Sequence, residues 1–215
     1  MKAFTIIIIA IGGIAILGIV LYFAFLKGPD LRAYLPLKEP RLETRGAERV
    51  LEVRFSGPAR TVVQRAYKVL FRAYYSLRGC PRGGPMKAPK ARYSFGMDAS
   101  RPAAEQLARL GDADWTGAVA IAVPDSAALP DRMPGTDGLR PELATWDYGE
   151  VAEILHIGSY ASEAPTIQKL QDFIKAQGYK IVDDHEEEYL RGPGVPFVSP
   201  EGYWTIIRYR VEKAN

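Results

Sequence analysis

The sequence predicts an α+β fold: two β-α-β-β repeats related by a pseudo-twofold axis, forming one antiparallel sheet with two helices on one face. An N-terminal transmembrane helix precedes it. Three observations carry this reading. Residues 4–26 hold no charge; strand- and helix-period segments recur in the same order in two halves; and matched glycines and Trp-Thr pairs recur 101 and 89 residues apart.

Residues 4–26 are Ile, Leu, Ala, Gly and Phe in the main. At about 1.5 Å per residue they reach roughly 34 Å, enough to cross a hydrocarbon core of about 30 Å. The run ends Leu21-Tyr22-Phe23-Ala24-Phe25-Leu26-Lys27, bulky where signal peptidase needs small side chains, so a retained single-pass anchor (1–27) is expected rather than a cleaved signal. Basic residues concentrate after the span, at Lys27, Arg32, Lys38, Arg41 and Arg45. By the positive-inside rule that places the following domain on the cytoplasmic side.

Gly28-Pro29 breaks the helix, and residues 28–48, with Pro36 and Pro40, read as a stalk. The globular domain is expected over 49–213, with repeats at 49–124 and 149–213. In the first, 50–55 forms a strand and 60–78 a helix with Val62, Ala66, Val69, Leu70, Ala73 and Leu77 on one stripe. Strands at 92–97 and 115–123 follow. In the second, 151–157 is a strand ending at Gly158, and 163–177 a helix with Ile167, Leu170 and Ile174 inward. Strands at 179–190 and 203–211 complete it. Residues 125–147, rich in Pro, Gly and Asp, serve as the connector.

One helix cannot cover the sheet of its own unit, so the two units are expected to share a sheet and leave its second face open. In the last strand Tyr203, Thr205, Ile207, Tyr209 and Val211 point one way and suit a core beneath helices. Trp204, Ile206, Arg208 and Arg210 point the other way and suit a wet groove.

Leu155-His156-Ile157-Gly158-Ser159-Tyr160, followed by a helix and Gly178-Tyr179, resembles the second half of the GyrI-like small-molecule-binding family, the effector-binding domain of bacterial drug-responsive regulators. Glu187-Glu188-Tyr189-Leu190 with Pro193, and Thr205-Ile206-Ile207-Arg208-Tyr209-Arg210-Val211, resemble its later strands. The resemblance spans roughly 48–213 and is carried by 149–211. It implies the pseudo-twofold repeat and a central cleft for bulky, often aromatic molecules, in a protein of the bacterial inner membrane if the anchor is retained. It also implies that Glu187 and Tyr189 face the cleft. Ile206 and Arg210 depart from the family's Glu and Pro at those positions, which weakens a cationic-ligand or hydrolytic reading.

The candidate ligand-binding residues are therefore Trp115, His156, Tyr160, Glu187, Tyr189, Trp204 and Arg208. Trp115 and Trp204 would stand at corresponding rims and equally well serve as core residues or stack on a flat guest. Arg208 and Arg210 would favour a neutral or anionic one. Desolvation of Glu187 would raise its pKa and make it the best proton acceptor; the rest of the acidic run 183–188, with His185, reads as a solvated strand end. His156 has no nucleophile motif near it and reads more readily as a hydrogen-bonded structural residue than as a catalytic one.

A net charge of +3 argues against a nucleic-acid partner. The single cysteine, Cys80, and two histidines leave no metal centre to expect, and no cofactor is implied. The preferred reading is a membrane-anchored binding domain. The alternatives are a hydrolase of reactive small molecules using Glu187 and Tyr189, and a scaffold holding a protein partner at the membrane.

Overall fold

The computed structural model describes residues 30–80, 86–110, 113–133, 138–193, 195 and 197–214. Among them no helix is long and apolar enough to cross a membrane, and the expected anchor lies outside them. The elements run β1 (Arg41–Arg45), β2 (Glu48–Pro58), α1 (Ala59–Ser76), β3 (Lys90–Tyr93), α2 (Ala103–Leu110), β4 (Asp114–Ala122), β5 (Pro141–Trp146), β6 (Gly149–Ile157), α3 (Ala164–Ala176), β7 (Tyr179–Ile181), β8 (His185–Arg191) and β9 (Trp204–Lys213).

All strands pair antiparallel in the order β1-β6-β9-β8-β3-β4-β2-β5, with β7 added against β9. The β-α-β-β repeat is present twice, as β2-α1-β3-β4 and β6-α3-β8-β9, joined through β3 and β8 at the centre. The matched glycines share a backbone feature: Gly57 has φ of 143° and Gly158 of 146°, a region essentially reserved for glycine. At Gly158 an added Cβ would also lie 2.9 Å from Ser162 Oγ.

Each helix covers its own half. Val62, Ala66, Val69, Leu70 and Ala73 of α1 pack on Leu51, Val53, Phe55, Val119 and Ile121. Ile167, Leu170 and Ile174 of α3 pack on Ala152, Ile154, Ile207, Tyr209 and Val211, as the alternation of the last strand requires. Each such buried aliphatic side chain contributes roughly 1.5–3 kcal/mol.

The helix-free face differs from expectation. It is not an open floor, because two strands lie in segments read as stalk and connector. Arg45 pairs with Gly149 and Glu48 with Trp146, three residues further on both strands. Hence β1 runs into β2 and β5 into β6 as one continuous ribbon, which brings the two edges of the sheet together and curls this face inward. The same segment of the expected stalk supplies a 3-10 turn, Leu31–Lys38, whose Leu31 and Leu37 close one end over Leu155, Leu190 and Ile206.

The enclosed face is filled with charge. Arg208, only 1% exposed, donates to Glu153 (3.0 Å), Glu188 (3.1 Å) and Glu186. Arg41 and Arg45 reach Glu153 from the ribbon. Tyr148, in the β5–β6 link, lies under Arg92 at 4.9 Å and Arg208 at 5.7 Å from its ring centre and donates to Glu186. At the end away from the 3-10 turn a cavity of about 670 Å³ opens, lined by Glu52, Arg54, Arg92, Thr116, Trp146 and Asp184 among others.

Candidate functional site

Strand alternation on β8 sends His185, Glu187 and Tyr189 to the helix side and Glu186 and Glu188 to the enclosed side. The acidic run is therefore not a solvated strand end: His185 is 1%, Glu186 3% and Glu187 8% exposed. Ala91 of β3 stands opposite Glu187 in the register, and Tyr93 opposite His185. The small Ala91 leaves room above the sheet centre, between the two helices.

A chain of hydrogen bonds runs through that space. His185 Nε2 lies 2.9 Å from Glu187 Oε1, and its Nδ1 lies 2.7 Å from the Tyr209 hydroxyl. Tyr189 donates to Glu187 Oε2, and its oxygen lies 2.8 Å from that of Tyr93. Rings enclose the group. Tyr67 of α1 and Tyr160 meet Tyr189 edge-on, with centres at 6.1 and 5.7 Å. Tyr160 also contacts Tyr203 at 5.4 Å. On the other side Trp115 and Phe95 pack on Tyr93. Burial, with the Glu187 charge, raises the tyrosines Tyr93, Tyr160 and Tyr189 above the usual phenol range, so they remain neutral hydrogen-bonding groups.

Glu163 completes the site. It precedes α3 in the N-cap position but makes no side-chain cap; it turns inward and is 5% exposed. Burial first, then the charge of Glu187 and a hydrogen bond to it, push its pKa up to about 10. At neutral pH Glu163 is a carboxylic acid beside the Glu187 carboxylate. Its Oε1 is buried with no hydrogen-bond partner among the described residues.

Five of the sequence-predicted residues meet here: Trp115, His156, Tyr160, Glu187 and Tyr189. His156 forms part of the wall. Its Nε2 faces the Ser159 carbonyl at 3.1 Å and so must carry the proton, leaving Nδ1 to accept from Thr166 at 2.9 Å. Burial lowers its pKa, opposed by the Ser159 carbonyl and the Glu187 charge, so it is a neutral ring with both nitrogens engaged.

Two predicted residues are elsewhere. Trp204 packs against the 3-10 turn with Leu31 and Leu37, and Arg208 sits in the ionic cluster on the enclosed face. The helix-facing positions are odd-numbered on both β4 and β9, so an odd spacing of 89 residues puts Trp115 and Trp204 on opposite faces; they are not matching rims. The expectation of a neutral or anionic guest rested on Arg208 and Arg210 standing on an open sheet face. Arg208 is spent on three glutamates across the sheet, and Arg210 pairs with Asp183 at 3.4 Å. That ground is removed.

Sequence reasoning missed Glu163, Tyr67, Tyr93 and Phe95, and set His185 aside. Glu163 was within reach of it, since it closely follows the Gly158 motif, but it reads there as the start of a helix.

No protein-family model matches the chain, and no curated protein does. Solved structures with the same fold do. A conserved protein from Listeria innocua superposes with a TM-score of 0.65 at 20% identity, covering 85% of this chain and 97% of that one. A hydrolase from Listeria innocua gives 0.62 at 18% identity, covering 84% and 95%. The C-terminal domain of EcmrR gives 0.57 at 14% identity, covering 82% and 98%. At such identities the likeness is one of fold.

Proposed function

We propose that the chain is a membrane-tethered binding protein for a bulky, partly aromatic molecule, held between α1 and α3 over the β3–β8 junction. One observation carries this reading: a carboxylate, Glu187, held by His185 and Tyr189 at the floor of a ring of tyrosines. Fixed negative charge beneath π-faces favours an organic cation over an anion. Sequestration among rings also means that a guest reaches Glu187 only by parting Tyr160 and Tyr189, so binding should be accompanied by ring movement. Tethering is supported by the uncharged residues 4–26, and the resemblance of 149–211 to the GyrI-like family supports small-molecule binding.

Two aromatic dyes of similar size and opposite charge test the reading on the full chain in detergent. Rhodamine 6G should bind at least tenfold more tightly than fluorescein, and Glu187→Gln should remove most of that preference. Equal affinities, or binding of neither dye, would overturn it.

A second reading, hydrolysis of a reactive small molecule, is favoured by one specific feature. Glu163 is protonated and adjoins the Glu187 carboxylate, so an acid and a base share one pocket, the arrangement that general acid–base chemistry uses. The hydrolase among the structural neighbours is in keeping with it. Turnover of a reactive ester that survives Glu187→Gln undiminished would remove this reading.

A further inference from the structure

The large hydrophobic side chains that the described residues leave exposed are Leu35, Tyr75, Ile157, Tyr160, Val195 and Phe197. All but Tyr75, which lies near the C-terminus of α1, belong to one end of the molecule. Leu35 is in the 3-10 turn that closes that end over Leu155, Leu190 and Ile206. Ile157 ends β6 and pairs with Trp204. Tyr160 packs at a tilt against Tyr203, and its hydroxyl is so near Gly192 that a Cβ there would lie 2.9 Å from it. Phe197, in the β8–β9 connection, is fully exposed and has a φ of 62°. A bulky residue holds that left-handed conformation against a steric penalty, here with its ring turned into solvent.

The chain itself says what covers this end. The apolar stretch finishes at Leu26 and the described structure starts at Asp30. Four residues span at most about 14 Å, and the 3-10 turn that follows is packed onto the domain rather than free. An anchor at 4–26 therefore holds this end within about one or two headgroup layers of the bilayer, each layer being roughly 5–8 Å deep. Aromatic and aliphatic side chains are the groups that partition into that layer. Arg32, an exposed basic residue of the turn, is taken up by Asp30 at 3.0 Å, which limits its pull on headgroups.

We propose that this end is a membrane-contact surface, with Leu35, Ile157, Tyr160 and Phe197 seated at the boundary of headgroups and acyl chains beside the anchor. Tyr160 is at once a contact residue and the outermost ring over Glu187. The aromatic site therefore opens toward lipid, and its guest is a molecule that partitions into the bilayer before it binds. The inference rests on the anchoring proposed above.

Its test uses the full chain carrying Cys80→Ser, with one new cysteine in each variant: Leu35→Cys, Phe197→Cys or Thr116→Cys. Thr116 is exposed and adjoins Ser94 and, through it, Asp184, at the opposite end of β8 from Arg191. Each variant, labelled with an environment-sensitive NBD dye, is reconstituted in phosphatidylcholine vesicles with and without headgroup-nitroxide lipid. Labels at 35 and 197 should be quenched at least twofold more than the label at 116, and raising the salt should not reverse this. Equal, weak quenching at all three positions in protein that floats with the vesicles would overturn the surface while leaving the anchor intact. Protein that fails to float would overturn the anchoring, and this inference with it. Energy transfer between labels on separate copies at high lipid-to-protein ratio, without nitroxide quenching, would assign the face to a second copy and equally overturn the proposal.

Discussion

The two faces of the central sheet bury carboxylates to a similar depth and do opposite things with them. On the enclosed face Glu153 is fully buried, which alone would raise its pKa, yet Arg208, with Arg41 and Arg45, holds it down at about 2. On the helix face Glu163 is as deeply placed, has Glu187 rather than an arginine beside it, and rises to about 10. Burial is common to both; the partner decides. One face uses its acids to hold the closed ribbon together. The other keeps Glu163 and Glu187 among aromatic rings, where among the described residues Glu187 meets His185 rather than an arginine or lysine, and such a site has capacity left for a guest.

The widest expected effect comes from removing the cation that separates the two faces. Arg208→Met leaves the buried Glu153 and Glu186 and the half-buried Glu188 with their shared partner gone, and should cost about 3–5 kcal/mol in urea denaturation. Arg208→Lys should recover only part, because an ammonium cannot reach three carboxylates in the plane of a guanidinium. A loss under about 1 kcal/mol for Arg208→Met would show that the enclosed cluster is not what holds the ribbon closed.

Acid should separate the faces next. Glu153 has a folded pKa below its ordinary one of 4.5, so its contribution is present above pH 4.5 and is lost as pH falls toward about 2. Glu163 has a folded pKa above its ordinary one, so the folded state binds the proton more tightly than the unfolded chain does. Its contribution is present below pH 4.5 and is lost as pH rises toward about 10. Glu153→Gln should therefore destabilise at pH 7 and much less at pH 2.5. Glu163→Gln should do the reverse, raising the melting temperature at pH 7 and more at pH 9, by about 2–4 °C for each kcal/mol in a chain of this size. Parallel pH profiles for the two variants would erase the contrast.

Much of this was legible in the residues and some was not. The stripes on α1 and α3 come from local periodicity, and so does the choice of Ile207, Tyr209 and Val211 as the helix-facing set on β9. Closure of the other face was not legible. It depends on Arg41–Arg45 pairing with residues more than a hundred positions away, and nothing in that short, charged segment reads as a strand. The same closure moved Arg208 from a supposed groove into an ionic cluster. Glu187 and Tyr189 were found through a motif, whereas Glu163 was hidden because its significance comes only from proximity to Glu187. A residue that opens a helix but does not cap it is the signal to look for, and only coordinates show the missing cap.

The finest contrast lies in orphaned polar atoms. Trp115 packs on Tyr93 and Phe95, and its indole nitrogen is buried with no hydrogen-bond partner among the described residues. A buried donor without a partner costs about 1–3 kcal/mol, a penalty that a guest bearing an acceptor would relieve. Trp115→Phe keeps a ring and discards the N–H. In the unliganded chain it should leave stability within about 1 kcal/mol of the parent, the lost ring area offsetting the relieved donor. In dye titrations it should weaken an acceptor-bearing aromatic cation by roughly threefold to tenfold, while a cation without an acceptor on that side loses less than twofold. A clear loss of stability with no change in either affinity would make Trp115 a packing residue of α1's half, and would confine the binding surface to Tyr160, Tyr189, Glu187 and Glu163.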